Sequence, residues 1–214
     1  MVRKVLLVCG IISSLFFTAM NVFIPMLYEG YSSTSRTPSE LSAIDAPTGQ
    51  IWGQLGIVYE ILIFAFAWGV WMSAGRNRPL RVVGGLMLAY GVLGFLWPFA
   101  PMHQREVLAA GGATLSDTLH LVLSAMTVLL YLLALGFGAT AFGKRFRIYS
   151  IATMVITLTF GALTGLDAPR IQANLPTPWV GVWERICIGV FLLWVVVLSI
   201  ALLRELDRKG GSQT

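Results

Sequence analysis

Asp117, His120, Ser124 and Thr127 follow one another at spacings of three, four and three, so on a helix all four project from one face. With His103 a short way upstream, that stripe offers two imidazoles and a carboxylate, enough for a catalytic zinc site in which Ser124 or Glu60 would position water or substrate. The spacing does not demand a metal, since the chain has no HExxH, CxxC or HxxxH motif. Ser124 one turn from His120 also matches a nucleophile beside its base, a common pairing of low specificity.

Each residue has a structural reading as well. Thr114 to Asp117 fits a helix-opening capping box, so Asp117 need only be a cap. His120 need only satisfy a hydrogen bond. Glu60, about eight residues into an apolar segment, lies roughly 12 Å below its start and would be costly without a partner, which Arg185 could supply as an ion pair. Glu184 and Arg185 are adjacent, point about 100° apart on a helix and must therefore look to different neighbours. Arg105 and Arg170 suit lipid phosphates at an interface.

The elements that must position these groups are set by composition. Of 214 residues 57% are hydrophobic and 12% charged, a balance that one water-solvated core does not need. The apolar stretches are continuous and about 20 residues long, the length of a membrane-crossing helix and not of the alternating strands of a barrel. We expect an all-α integral membrane protein, a bundle of six transmembrane helices over about 5–27, 52–74, 80–99, 115–142, 148–166 and 178–203, arranged as three helical hairpins in a single domain. The first segment reads as a retained helix, being too long for a secretion signal and lacking a small-residue cleavage pattern. Residues 28–51 form a long loop in which Thr37-Pro38-Ser39-Glu40 predicts a short interfacial helix.

The net charge of +5 is a topology signal and not a nucleic-acid footprint. Arg3, Lys4, Arg76, Arg78, Arg81, Lys144, Arg145, Arg147, Arg204, Arg208 and Lys209 fall on one side, against Arg36, Arg105, Arg170 and Arg185 on the other. The positive-inside rule then places both termini in the cytoplasm. Trp52, Trp97, Trp179 and Trp183 gather near the opposite boundary. Cys9 and Cys187 fall at different depths and do not meet as a disulfide. Gly84, Gly91 and Gly94, and the pair Gly161 and Gly165, predict close helix contacts.

At Pro101-Met102-His103-Gln104-Arg105, Ser116-Asp117-Thr118-Leu119-His120 and Pro178 to Arg185 the chain resembles the prokaryotic six-helix membrane family catalogued as domain of unknown function 998. The resemblance covers nearly the whole chain and implies a fold and a cell (inner) membrane location without an activity. A looser similarity links it to the transmembrane hydrolases that include alkaline ceramidases and progestin and adiponectin receptors, which use intramembrane histidines, an aspartate and a serine. The chain departs from that pattern with two histidines and six spans where seven are usual.

Nearly all the polar groups sit in the half away from the basic clusters, so we expect one outward-facing pocket lined by Glu60, His103, Arg105, Asp117, His120, Ser124, Arg170, Glu184 and Arg185. Its expected ligand is a lipid headgroup or small amphiphile. The alternatives are a zinc-dependent lipid amidase or esterase using His103, His120 and Asp117, and an ion-coupled transporter using Glu60. Membrane lipids are the expected partners, nucleic acid is not, and the sequence leaves the oligomeric state open.

Overall fold

A computed structural model describes residues 1–211, with side chains described through residue 208; the side chain of Lys209, one of the basic residues counted above, lies outside it. Seven α-helices follow in order: α1 Val2–Phe23, α2 Gly49–Ser73, α3 Arg78–Gly94, α4 Arg105–Ala109, α5 Leu115–Ala141, α6 Lys144–Gln172 and α7 Val180–Gly211. Short 3-10 turns cover Ile24–Leu27, Pro38–Ser42 and Trp97–Phe99. Six of the helices are long and apolar enough to cross a membrane, and α4 is the exception.

The six spans form a closed ring in chain order. Each packs on the next, with α3 meeting α5 across the short α4, and α7 closes back onto α1. An even number of crossings leaves both ends on one side, here called the terminal face, with the tight 74–77 and 142–143 connections. Gly75 makes the first of these possible with φ +50°, a left-handed conformation that side chains resist. Asn77 then caps α3 by accepting from the Leu80 amide at 3.1 Å. Lys4 pairs with Asp207 on the same face, joining the start of α1 to the end of α7.

Inside the ring, Trp194, Phe66, Phe191, Ile63, Leu135 and Leu198 are fully buried, while Leu15, Ile61, Leu129, Val155 and Leu193 form part of an exposed apolar girdle. That inversion of a soluble surface is what lipid solvation requires. The phenols of Tyr59, Tyr90 and Tyr131 meet at the centre, with Tyr59 and Tyr90 2.8 Å apart and Tyr131 donating to Tyr90 at 3.2 Å. Three helices thus satisfy each other's hydroxyls where no water is at hand. Trp194 donates Nε1–H to Ser150 Oγ at 2.9 Å and its ring fills the space over Gly138, where a Cβ would lie 2.5 Å away.

The α2–α3 seam is built on glycine. A Cβ on Gly84 would lie 2.8 Å from the Trp71 backbone, one on Gly91 would lie 3.3 Å from Phe64 Cα, and one on Gly94 would overlap the Glu60 carboxylate. The close approach expected of these three glycines is therefore present. Of the other pair, Gly161 touches Cys187 and Gly165 has open space. The two cysteines are unpaired.

Three expected boundaries move, and the first is the end of α3, at Gly94 instead of near 99, with a separate 3-10 turn at Trp97–Phe99. The sixth helix of the chain, α6, runs on to Gln172 instead of stopping near 166, although Pro169 lies inside it. A proline this near a helix end removes only the bond from its own nitrogen, and Arg170 ties the extra turn down by donating to the Pro176 carbonyl at 2.7 Å. The last helix, α7, continues past 203 to Gly211. Where the sequence predicts a short helix around Thr37 the chain forms the 3-10 turn Pro38–Ser42, and α4 is a further short helix beyond those expected.

Candidate functional site on the cap face

Opposite the termini, the loops 28–48, 95–114 and 173–179 form a cap over the ring. The capping box in the first loop works as its sequence suggests: the Thr37 amide donates to Glu40 Oε2 at 2.7 Å and the Thr37 hydroxyl at 3.1 Å. The carboxylate so oriented receives Arg105, whose Nε donates to Oε1 at 2.6 Å and Nη2 to Oε2 at 2.7 Å. The same guanidinium donates to Thr177 Oγ1 at 2.7 Å and to the Ser35 carbonyl at 2.9 Å. Arg105 and Glu40 are both buried, so one planar cation ties all three cap loops together through a two-toothed contact.

Arg185, near the start of α7, holds the first loop from below. Its Nη1 donates to the carbonyls of Ser33 at 2.8 Å, Arg36 at 3.0 Å and Gly181 at 3.1 Å, and its Nη2 to the Tyr31 hydroxyl at 2.8 Å. Gly181 leaves the loop room, because a Cβ there would overlap the Arg36 carbonyl. Burial pushes the Tyr31 phenol up to about 12, so it keeps its proton and donates to the Thr37 carbonyl at 2.8 Å while accepting from Arg185. Arg185→Ala should release this loop: hydrogen bonds to a charged donor are each worth about 1.5–3 kcal/mol, so trypsin cleavage after Arg36 should accelerate tenfold or more in mild detergent. An unchanged cleavage rate would mean the loop is held by something else.

The second loop is stitched to α5. His103 N–H donates to Asp117 Oδ1 at 2.8 Å, its Nδ1 lies 2.9 Å from Oδ2, and the Thr114 amide donates to Oδ2 at 2.8 Å. The Ser116 hydroxyl donates to the Pro101 carbonyl at 2.6 Å, and His120 Nδ1 donates to the Ala100 carbonyl at 2.8 Å with its ring edge-on to Trp97. Asp117 is thus a helix cap that also anchors His103, and His120 is a buried histidine fastening the 97–103 segment.

These contacts correct three expectations. Among the described residues no three His, Cys, Asp or Glu side chains are grouped to hold a metal, and the tentative zinc set His103, His120 and Asp117 is not assembled. Both oxygens of Asp117 already accept hydrogen bonds, and His120 spends Nδ1 on a carbonyl. The Ser124 hydroxyl donates to the His120 carbonyl of its own helix at 2.9 Å, not to the imidazole, so the nucleophile–base pair is not formed. Glu60 does not pair with Arg185, whose Nη1 and Nη2 donate to the first loop and to Gly181 while its buried Nε has no hydrogen-bond partner. The Glu60 carboxyl is buried against Gly94 in the α2–α3 seam and Oε2 has no hydrogen-bond partner.

Nor do the remaining candidates share one pocket. Arg170 is exposed and bound to the Pro176 carbonyl and, at 3.8 Å, to Asp167. Glu184 lies half-buried beside Ser39. Of the nine expected pocket residues, Arg105 alone reaches the open cavity on the cap face, a space of about 290 Å³ between Ser35, Arg36, Arg105 and the 174–178 segment. Arg36 is the less committed cation there, 3.9 Å from Glu40 and 3.7 Å from Glu106. Sequence reading missed Arg36, Glu40, Tyr31 and Thr177 as site residues. The capping box marked Glu40, though not its second use as the seat of Arg105.

A family model described as "Protein of unknown function (DUF998)" matches residues 11–201. The chain belongs to this family. No curated protein and no solved structure matches it. The matched stretch of this DUF998 member runs from within α1 to within α7 and includes every cap residue named above, so the cap is part of the family domain and not an addition to it.

Proposed function

We propose that this DUF998 protein binds a lipid headgroup or small amphiphile in the cap cavity, with Arg36 as the group that meets the ligand's phosphate. The observation that carries the reading is the cavity itself: about 290 Å³, open, walled by two arginines and placed where the ring of spans gives way to the loops. That volume is at the small end of ligand sites and suits a headgroup better than a whole lipid. Four of the five Arg105 N–H donors go to Glu40, Thr177 and Ser35, so Arg36, with ion pairs no shorter than 3.7 Å, is the freer cation to exchange its partners for a phosphate.

The distribution of Lys and Arg supports a cap that faces outward with both termini in the cytoplasm, so the headgroup would come from the outer leaflet. Of the other expectations, no described residues group as the ligand set that metal-dependent hydrolysis needs, and Glu60, the residue expected to couple ion transport, has no hydrogen-bond partner on its Oε2. Native mass spectrometry of the protein released from mild detergent should show a retained phospholipid whose occupancy falls at least fivefold in Arg36→Gln. Retention equal in both proteins, or none in either, would overturn the reading.

A further inference from the structure

The face of α2 that packs on α3 carries Trp71, Phe64 and Glu60, seated on Gly84, Gly91 and Gly94 in turn. Continued toward the cap, that face runs onto Gly56 and Gly53 with Ile57 along its other edge, and at neither glycine does any atom lie within 4 Å of where a Cβ would be. The cause is length. The helix α3 has 17 residues against 25 for α2 and ends at Gly94, opposite Glu60, which leaves residues 49–59 of α2, about 16 Å, beyond its end. The chain then leaves α2 for α5, where Ala100 and Pro101 are bound by His120 and Ser116.

A groove floored by Gly53 and Gly56 and edged by Ile57 therefore starts where α3 stops, with Glu60 one turn below Gly56 at its inner end. Glu60 is 7% exposed and its Oε2 accepts nothing. A buried acceptor without a donor costs about 1–3 kcal/mol, which a ligand carrying the missing donor would recover. The site lies 11 residues from the start of α2, roughly 16 Å along the helix, with the exposed Ile57 and Ile61 beside it, so its ligand arrives through hydrocarbon. A cation would have to shed its hydration to travel that way, at a cost of tens of kcal/mol in the Born limit, whereas a hydroxyl gives up only a few.

We propose that this groove binds a lipid-soluble alcohol, a molecule with an apolar chain and one hydroxyl, which donates its O–H to Glu60 and lays its chain along Gly56 and Gly53. The site is separate from the cap cavity, so it stands or falls independently of headgroup binding there.

The test uses the full chain in mild detergent with farnesol as the probe and farnesyl methyl ether, which keeps the chain and lacks the donor, as its control. Dicyclohexylcarbodiimide, an apolar carboxyl reagent, should label Glu60, and farnesol should reduce that labelling at least fivefold where the ether does not. Farnesol should also raise the thermal midpoint of the wild type but neither Glu60→Leu, which removes the acceptor, nor Gly56→Leu, which fills the groove while leaving Glu60 in place. Absence of labelling at Glu60, equal protection by alcohol and ether, or a midpoint shift that persists in both variants would overturn the proposal. So would a Gly56→Leu protein that changes from dimer to monomer with no farnesol effect in the wild type, since the groove would then be filled by a second copy.

Discussion

Arg105→Ala should detach the cap. The substitution strands the Glu40 carboxylate, 3% exposed, without its two-toothed partner, and breaking a buried pair in this way costs about 3–5 kcal/mol because the remaining charge stays desolvated. The effect should appear as hydrogen exchange at the amides of residues 31–42 accelerated at least a hundredfold. Arg105→Lys should restore little, since one ammonium cannot reach both Glu40 oxygens, Thr177 and the Ser35 carbonyl together. The double change Arg105→Met with Glu40→Leu should recover most of the protection by removing both charges. Exchange in the single variant no faster than in the wild type would show that the apolar packing of the cap suffices without the ion pair.

Trp194→Ala should be the most damaging single truncation within the ring. The indole is fully buried, packs on Gly138, stacks near Phe191 with ring centres 5.9 Å apart, and donates to Ser150. Lipid supplies no hydrophobic drive for helices to associate, so the loss is of packing itself, and large-to-small changes at such sites cost about 3–5 kcal/mol. Trp194→Phe should cost roughly 1–2 kcal/mol, because the ring space stays mostly filled and the Ser150 hydroxyl can turn back to its own helix. The measurement is the midpoint of unfolding by sodium dodecyl sulfate in mixed micelles. Midpoints for both variants equal to the wild type would remove Trp194 from the account of what holds α5, α6 and α7 together.

The six spans were legible because their cause is local: a run of about 20 apolar residues satisfies its own backbone bonds as a helix wherever it stands. Capping was legible for the same reason, and Thr37 with Glu40 and Thr114 with Asp117 both form as their spacing suggests. What could not be read were choices among distant partners. Glu40 and Arg105 are 65 residues apart, and Arg185 finds the 31–36 loop some 150 residues away; nothing in the sequence ranks that loop above Glu60 as its counterpart. The single pocket expected for His103, Asp117, His120 and Ser124 failed because backbone carbonyls and amides, which carry no sequence label, took their donors and acceptors first. The stop near 166 failed because the last turn, with Pro169 costing little so near the end, is held by a contact from Arg170 to the Pro176 carbonyl that no local pattern announces.

The closure of the ring by α7 against α1 has a consequence for how the protein is made. The seam on α1 is polar and small: the Ser14 hydroxyl donates to the Leu192 carbonyl at 3.1 Å, and Gly10 lies against Ser199 and Phe66. Until α7 is made, more than 150 residues after α1 ends, Ser14 lacks its Leu192 partner and the α7-facing side of Gly10, whose other neighbour is Phe66 of α2, faces acyl chains. The nascent ring is thus an open arc with one exposed edge, and its maturation waits on the final segment. A nascent chain stalled before residue 180 is the species that would display that edge.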